Sequence, residues 1–480
     1  MEKEKTIIVR MPPSPTGNLH LGTARTALFN YLFAKKKKGE IVFRWEDTDK
    51  ERSKKEFEKE ILNGFKWLGI DFESEASAFH RQTENLSVHK KHLETLWEAK
   101  KIFPCFTPPE EIQKKRIEAT QKKKNFVFWS PYRDISQEEA REKIKQEIPF
   151  VWRLRVNSEA KIIFEDIIRG AIETSTETLG DFVVARSDGS VLYLLANVID
   201  DATQGITHVL RGEDHISNTP KQILLYQALG FPLPQFGHIP LVLDQKKRKL
   251  SKRNVDPETC VLIADFQKQG FLPEAVVNGL AFLGWNPKST QELFFLEDLI
   301  QAFSLENINP GAAQYDFEKM KWFNTKWIRQ INIQKLIDHF NEFSGTSYSF
   351  PKHEKAFEVA REKSRNLLDI SAQIDYLLDD PGFEKTLLQN EKLGQTTEAA
   401  QRILESVEDF AQNIPEQKWN ASFLREEAVK KIEALEIKNG EFLSPFRIAL
   451  ANRAVSAGPF EIAEVIGKAE TLRRIQRARD

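Results

Sequence analysis

Cysteine is scarce, since only Cys105 and Cys260 occur among 480 residues. Two cysteines this far apart along the chain do not make a disulfide framework, which is typical of proteins from a reducing compartment. No Cys-x-x-Cys pair occurs, so the sequence does not predict a structural zinc site. The chain also lacks any run of about eighteen apolar residues, which excludes an ordinary transmembrane helix.

The chain also lacks an excess of charge of either sign, because its formal net charge is −1. A nucleic-acid-binding protein usually carries a positive excess, but local basic patches can serve instead, so this balance neither indicates nor excludes such a partner. Residues 1–5 are charged and lack the apolar segment of a signal peptide, and we therefore expect a cytoplasmic protein. The length, with 40% hydrophobic and 29% charged residues, indicates a globular protein of several domains.

The first fifty residues follow the order strand, loop, helix, strand. Residues 6–10 are rich in β-branched side chains, and the prolines and glycine of residues 11–17 exclude a helix there. From His20 the apolar residues recur at helical spacing, Gly39 is expected to end this helix, and residues 41–45 resemble a second strand. This βαβ pattern predicts an α/β domain with a parallel sheet and a ligand site at the carboxyl ends of its strands.

The rest of the chain divides into a mixed segment and a helical one. Between about residues 100 and 190, strand and helix signals alternate, which indicates an insertion between the halves of the nucleotide-binding fold. After Met320 the pattern is almost entirely helical. The last helix is expected to begin at Gly458-Pro459, because proline is tolerated at the first helical position.

The string from Pro13 to Thr23 brings a loop to the start of a helix whose first turn contains His20 and Gly22. Free backbone N–H groups at a helix N-terminus attract phosphate, and a glycine lets a nucleotide lie close to the backbone. A histidine at this point can donate to a phosphate oxygen. Gly17 and Gly22 have the spacing of a P-loop, but Thr23 stands where that motif requires lysine, so this interpretation is rejected.

A basic loop follows farther along the chain. Between Asp244 and Asp256 there are six basic residues and no acidic one. Such a run is by itself more often a solvated surface loop. Together with the string at residues 13–23, it predicts a site that stabilises a leaving pyrophosphate, because the reaction concentrates negative charge on the phosphates.

Polar side chains stand near the expected ends of several strands. Arg10 ends the first strand, Glu46 follows the second, and Arg211 lies farther along the chain. Each could be a cap or a surface ion pair, but two arginines can also hold the two carboxylates of a small ligand in a forked geometry. His89 and His92 lie at helical spacing with no third metal ligand in view, so we expect a solvated helix face there.

These strings together resemble a known family. The string from Pro13 to Thr23 resembles the HIGH-type signature of class I aminoacyl-tRNA synthetases, and Lys249 to Arg253 resembles their KMSKS-type loop. The resemblance covers nearly the whole chain, although it is thinner between residues 100 and 150 and after 330. Further strings are similar to those of bacterial-type glutamyl-tRNA synthetases, namely residues 46–49, 186–189, 205–209, 211–220, 271–275 and 317–324.

The resemblance implies an α/β, Rossmann-type catalytic domain that is split by an α+β insertion and followed by an all-helical anticodon-binding region. A helical C-terminal part argues against a glutaminyl-tRNA synthetase, whose relatives end in β-barrels, and the length argues against the truncated glutamyl-queuosine enzyme. The expected divisions are 1–100 with 195–230 (catalytic domain), 101–194 (acceptor-end-binding insertion), 231–325 (stem-contact domain with the KMSKS-type loop), and 326–375 and 376–480 (first and second helical anticodon-binding domains).

The resemblance also implies roles for residues that match the family motifs, with Arg211 as the partner of the substrate side-chain carboxylate. The glutamate-binding residues are expected to be Arg10, Ser14, Glu46, Tyr193, Asn197 and Arg211. The ATP-binding residues are expected to be His20, Gly22, Asp214, Lys249, Ser251 and Lys252. Those with a catalytic role are expected to be His20, Lys249 and Lys252. Contacts with tRNA are expected from Asn218, Thr219 and Arg365.

The implied activity is the ligation of L-glutamate to tRNA(Glu), with ATP and Mg²⁺, by a cytoplasmic monomer that does not associate with membranes. Charging of tRNA(Gln) is left open, and a non-catalytic tRNA-binding paralogue is an alternative against which the two ATP-site motifs argue. Some relatives bind zinc through a cysteine cluster in the insertion, but only Cys105 stands there in this chain, so zinc is not expected. Asn452-Arg453 replaces a frequent Thr-Gly pair, which leaves the anticodon preference open.

Overall fold

The structure is a computed structural model that describes residues 6–49, 51–251 and 253–480. None of the helices in these ranges combines the length and apolarity that crossing a bilayer requires. The chain forms two compact units, of which the first consists of Met1–Ala264 and Val277–Asp316 and the second of Asp265–Val276 and Phe317–Asp480.

The strands belong to the first unit. They are β1 (Ile8–Met11), β2 (Glu40–Trp45), β3 (Ala78–Arg81), β4 (Ile102–Cys105), β5 (Val151–Leu154), β6 (Lys161–Asp166), β7 (Gly170–Ser175), β8 (Val183–Arg186), β9 (His208–Gly212), β10 (Gln235–Ile239), β11 (Val242–Leu243) and β12 (Ala313–Gln314).

Parallel pairing organises the strands that carry the predicted site. β1, β2 and β3 pair in parallel, with Ile8 opposite Glu40, and β9 pairs in parallel with β10. The backbone N–H of Thr207, just before β9, donates to the Ile8 carbonyl oxygen at 2.9 Å and brings β9 beside β1. The βαβ unit predicted from the first fifty residues is therefore confirmed, and the carboxyl ends of β1, β2 and β9 meet at one edge.

The segment between about residues 100 and 190 contributes two further strand groups. β4, β5 and β8 form an antiparallel three-stranded sheet. β6 and β7 form an antiparallel hairpin, and β6 also pairs in parallel with β10 through Asp166 and Phe236. Asp166 thus lies in the same sheet as the end of β9.

A core of the first unit includes Val42, Ile199 and Val209. The helices before residue 303 belong to this unit, apart from residues 265–276, which are part of the second unit. These helices are α1 (Leu21–Lys36), α2 (Lys55–Trp67), α3 (Phe72–Glu75), α4 (Leu86–Glu98), α5 (Pro109–Gln121), α6 (Gln137–Lys145), α7 (Tyr193–Thr203), α8 (Thr219–Leu229), α9 (Ile263–Lys268), α10 (Pro273–Phe282) and α11 (Leu296–Ala302).

Helix α1 begins where the sequence predicts and is buried more widely than an amphipathic stripe. Arg25, Asn30 and Phe33 are buried along with the expected apolar face, as befits a helix inside a large domain. The helix ends at Lys36, and Lys38 rather than Gly39 takes the left-handed conformation, with φ of 50°. Gly39 is required for space, because a Cβ there would lie 2.4 Å from the Ile7 carbonyl oxygen.

The second unit is helical, as predicted for the chain after Met320. The last helix begins at Pro459, as expected, but Gly467 interrupts its helical dihedral angles with φ of 80°. The helices are α12 (Phe317–Gln330), α13 (Ile333–Ser344), α14 (Glu354–Glu362), α15 (Leu367–Leu378), α16 (Thr397–Asn413), α17 (Ala421–Ala434), α18 (Asn439–Ala451) and α19 (Pro459–Arg479).

Candidate active site

A cavity of about 660 Å³ lies at the carboxyl ends of β1, β2 and β9, beside the start of α1. This is the location that parallel α/β sheets favour for a ligand. Asn197 is absent from its lining but contacts the cavity residue Glu46, and Lys252 lies outside the described residues. The residues predicted for the two small substrates that line it are Arg10, Ser14, His20, Gly22, Glu46, Tyr193, Arg211, Asp214, Lys249 and Ser251.

His20 is fixed by the start of α1. Its Nδ1 accepts the backbone N–H of Gly22 at 3.1 Å, which makes His20 the N-cap of the helix. The ring therefore carries its proton on Nε2 when it is neutral. Burial lowers the pKa of His20, and the positive charge of Lys249 lowers it further. His20 is thus a neutral N–H donor at pH 7 through Nε2. It stands at a helix start where the backbone N–H groups of Leu21 and Gly22 already donate, to the Val261 carbonyl oxygen and to His20 Nδ1.

Lys249 reaches the same end of the cavity from the basic loop. Its Nζ lies 2.8 Å from Oδ2 of Asp214, and the pair is largely exposed. Burial opposes ionisation of Asp214, but the hydrogen bond and charge of Lys249 hold the pKa of its carboxyl below the ordinary value. The loop is folded around Asp244, whose Oδ1 accepts the backbone N–H of Arg248 at 2.9 Å. Lys249 is therefore held by a carboxylate close to His20 at the start of α1.

Arg211 is the second-last residue of β9 and lines the cavity. The side chain is buried, and Nε donates to Nε2 of His238 at 3.1 Å while Nη2 donates to Oγ1 of Thr219 at 2.8 Å. Nη1 is buried with no hydrogen-bond partner in the part of the chain that the structure describes. An unpaired buried N–H of this kind is costly, so a carboxylate in the cavity would bind to it strongly.

Arg10 and Arg44 lie on the paired strands β1 and β2, where Arg10 is opposite Val42, and both arginines are buried. Nε of Arg10 lies 3.4 Å from Oδ2 of Asp201, and Nη2 of Arg44 lies 2.8 Å from Oδ1 of the same carboxylate. Arg44 also lies 3.4 Å from Glu46 and 3.9 Å from Asp200. The sequence reasoning did not assign Arg44, Asp200 or Asp201 to the site, although a charged residue inside the apolar run Ile41–Trp45 could have indicated such a network.

Glu46 follows β2 and faces the cavity from this network. Its Oε1 accepts a hydrogen bond from Nδ2 of Asn197 and another from Nη2 of Arg44 at 3.4 Å. Burial raises the pKa of Glu46, and the charges of Arg44 and Arg10 oppose that shift. A cationic ligand group would favour the ionised form further, so Glu46 is suited to hold an ammonium group.

His89 corrects an expectation from the sequence. It is 1% exposed, and its Nε2 lies 2.7 Å from Oδ1 of Asp200. The solvated helix face expected at this position is therefore wrong for His89. Spacing alone does not reveal that the partner of α4 on this side is a buried carboxylate of α7.

The remaining predicted residues are less central. The hydroxyl of Tyr193 lies 3.3 Å from Nδ1 of His215, and the amide of Asn218 lies 3.4 Å from the same nitrogen. Thr219 is fully buried, and its hydroxyl contacts Arg211 and His238. Arg365, in the second unit, is exposed and pairs with Asp369 at 3.3 Å. The tRNA contacts of Asn218, Thr219 and Arg365 stay a prediction, as does the glutamate contact of Tyr193.

Two protein-family models match the chain. Residues 6–322 match the catalytic domain of tRNA synthetases class I (E and Q), and residues 318–479 match an anticodon binding domain. The class of protein that the fold and the cavity define is therefore a class I aminoacyl-tRNA synthetase, with the predicted α/β catalytic part and helical C-terminal part.

Individual relatives narrow this class. The chain is 37% identical over 477 residues to glutamate–tRNA ligase 1 of Caldanaerobacter subterraneus subsp. tengcongensis, which covers 98% of this chain and 97% of that protein. It is 38% identical to the glutamate–tRNA ligase of Aquifex aeolicus, with 99% of each chain covered. A crystal structure of a glutamate tRNA ligase from Elizabethkingia meningosepticum in complex with its amino acid is similar, with a TM-score of 0.83, 28% identity and 99% of each chain covered. The chain belongs to the glutamate–tRNA ligase family.

Proposed function

We propose that this protein ligates L-glutamate to the 3′ end of tRNA(Glu) through a glutamyl-adenylate. The observation that carries this proposal is that one cavity is lined both by donors for phosphate and by a donor for a carboxylate. At one end His20 and Lys249 offer donors for phosphate, and at the other Arg211 offers a buried N–H for a carboxylate. A site for ATP and a small acid in one space suits adenylation of that acid.

In the first step, an oxygen of the glutamate α-carboxylate attacks the α-phosphorus of ATP. The bond between this phosphorus and the bridging oxygen breaks, and pyrophosphate leaves with the electron pair. His20 and the lysines of the basic loop stabilise the charge that builds up on the phosphates, because donors that are already in place cost no reorganisation during the reaction. Lys249 must exchange Asp214 for phosphate in this step.

The amino acid is held at both of its ends. Arg211 binds the side-chain carboxylate through Nη1, and Glu46, supported by Asn197, holds the ammonium group. Arg10 lines the same cavity and supplies positive charge for a carboxylate. This arrangement accepts an acid and disfavours its neutral amide, because the amide would leave the Arg211 charge unpaired.

In the second step, the 2′-hydroxyl of the terminal adenosine of tRNA attacks the carbonyl carbon of the adenylate, and AMP leaves. We expect Mg²⁺ to arrive with ATP, since phosphate oxygens and water supply most of its ligands in such sites. No group of three or more histidine, cysteine, aspartate or glutamate side chains that could hold a metal occurs among the described residues. The proposal also includes action as a monomer in the cytoplasm, as the resemblance implies.

Charging of labelled glutamate onto two purified transcripts tests this function. Transfer to tRNA(Glu) alone indicates a discriminating enzyme, and transfer to both tRNA(Glu) and tRNA(Gln) indicates one that depends on a later amidation. Failure to charge either transcript, with folded protein, fresh ATP and Mg²⁺, would leave a tRNA-binding protein without catalytic activity. Formation of labelled adenylate in the presence of tRNA separates that outcome from a defect in the second step alone.

A further inference from the structure

Two buried residues lie directly behind Arg211 and do not line the cavity. Asp166, at the end of β6, and His238, on β10, are both buried, with side chains 0% exposed, and Oδ2 of Asp166 lies 2.6 Å from Nδ1 of His238. Buried charge of this kind needs a reason, since an apolar pair would stabilise the sheet as well. The contacts of these residues with Arg211 supply one.

The hydrogen bonds define the orientation of each group. Oδ1 of Asp166 accepts three backbone N–H groups, from Ile168 and Arg169 at 3.0 Å and from His238 at 3.2 Å. The other oxygen, Oδ2, faces Nδ1 of His238, so Nδ1 carries the proton and Nε2 is left as an acceptor. This acceptor receives Nε–H of Arg211 at 3.1 Å and lies 3.0 Å from the Thr219 hydroxyl.

We propose that Asp166, His238 and Thr219 are positioning residues that hold Arg211 so that Nη1 faces the side-chain carboxylate of the amino acid. This inference rests on the proposed function of Arg211. His238 and Thr219 accept from Nε and Nη2, which form one edge of the guanidinium. Nη1 is left without a hydrogen-bond partner among the described residues, on an arginine that lines the cavity. The planar fork of arginine then has a single orientation before the substrate arrives. The selection of an acidic side chain thus depends on a carboxylate that never touches the substrate.

The variant Asp166→Asn tests this positioning because it moves the proton of the His238 ring from one nitrogen to the other. The three backbone N–H groups keep the amide oxygen on the Oδ1 side, so the NH₂ group must face Nδ1 of His238. His238 then accepts at Nδ1 and carries its proton on Nε2, where it opposes Nε–H of Arg211. The side chain keeps its volume, but Arg211 loses its support.

We expect Asp166→Asn to raise the KM for glutamate by about tenfold, at the lower end of the effect of losing a hydrogen bond to a charged group. In pyrophosphate exchange with tRNA present, kcat and the KM for ATP should stay within about twofold of the original enzyme, because only amino-acid binding changes. A merely structural role would instead lower the folded fraction, and therefore kcat, at an unchanged KM. The matched control is Asp181→Asn, another buried carboxylate that accepts backbone N–H groups, from Ser130 and Val156, away from Arg211.

If Asp166→Asn does not fold, Thr219→Val removes only the hydroxyl and should raise the same KM by about threefold to tenfold. A folded variant at Asp166 with a KM for glutamate within about twofold of the original would overturn the positioning role. The variant Arg211→Gln separates the proposed role of Arg211 in glutamate binding from the proposed positioning of Arg211 by Asp166, His238 and Thr219. An unchanged KM in that variant as well would refute the proposed function of Arg211, whereas a large increase there alone would refute only the positioning.

Discussion

The two ring nitrogens of His20 have separate functions, and two amide substitutions separate them. Nδ1 caps helix α1 by accepting the Gly22 N–H, while Nε2–H is available to a phosphate. Asparagine places its oxygen near the position of Nδ1, so His20→Asn keeps the cap and removes the donor. Glutamine places its NH₂ near the position of Nε2, so His20→Gln keeps a donor and removes the cap.

The magnitudes follow from these contacts. Loss of one preorganised donor to the reacting phosphate should lower kcat of His20→Asn by about 10²- to 10³-fold, with little change in the KM for ATP. Loss of the cap should lower the free energy of unfolding of His20→Gln by about 1 kcal/mol. That variant should keep kcat within about tenfold of the original, because its amide still donates a hydrogen bond.

Pyrophosphate exchange with tRNA present measures kcat, and urea unfolding followed by circular dichroism measures stability. His20→Asn should be slow but as stable as the original enzyme, whereas His20→Gln should be less stable but nearly as active. Activity of His20→Asn within about threefold of the original would refute the donor role of Nε2. A larger rate loss in His20→Gln than in His20→Asn would refute the division of function between the nitrogens.

Three further predictions concern other parts of the cavity and the histidines. The variant Arg211→Gln should lose at least about 10²-fold in kcat/KM for glutamate, because the buried charge-assisted pair with the substrate carboxylate is lost. The control Arg52→Gln, at an exposed arginine, should keep the original kcat/KM. Equal kcat/KM values for the two variants would contradict the role of Arg211 in glutamate binding. The variant Lys252→Ala should form adenylate about 10²-fold more slowly, and an unchanged rate would remove this lysine from the catalytic group. The melting temperature should fall between about pH 7.5 and 5.5, because below the ordinary histidine pKa of 6.5 the unfolded chain takes up protons that the folded chain does not. The raised pKa of Glu46 opposes this change, but it concerns one group against several histidines. A constant or rising melting temperature over this range would contradict the prediction. The histidines with lowered pKa are His20, His92, His208, His215 and His238.

The residues that face the cavity could be predicted because each lies in a local pattern. Arg10 and Arg211 are the second-last residues of β1 and β9, Glu46 follows β2, and His20 caps a helix after a proline-rich loop. Parallel strands place such positions at one edge whatever the rest of the chain does. Local sequence patterns therefore predict most of the residues that line the cavity.

The supporting residues could not be found in this way. Asp166 and His238 are separated by 72 positions, and neither belongs to a motif. They meet only because β6 pairs with β10, a long-range register that no local periodicity specifies. His89 shows the same limit, since its helical spacing predicted a solvated face while a buried carboxylate occupies that side.

In the proposed function, ATP must displace Asp214 from its ion pair with Lys249. The phosphate gains only the difference between its own attraction for the ammonium group and that of the carboxylate it displaces. A small anion that reaches Lys249 alone has little to gain from this exchange. A triphosphate in the proposed site would also engage His20, and this further contact would favour the exchange. The nucleotide site of the proposed function therefore already contains a carboxylate, which any anion that binds Lys249 has to displace.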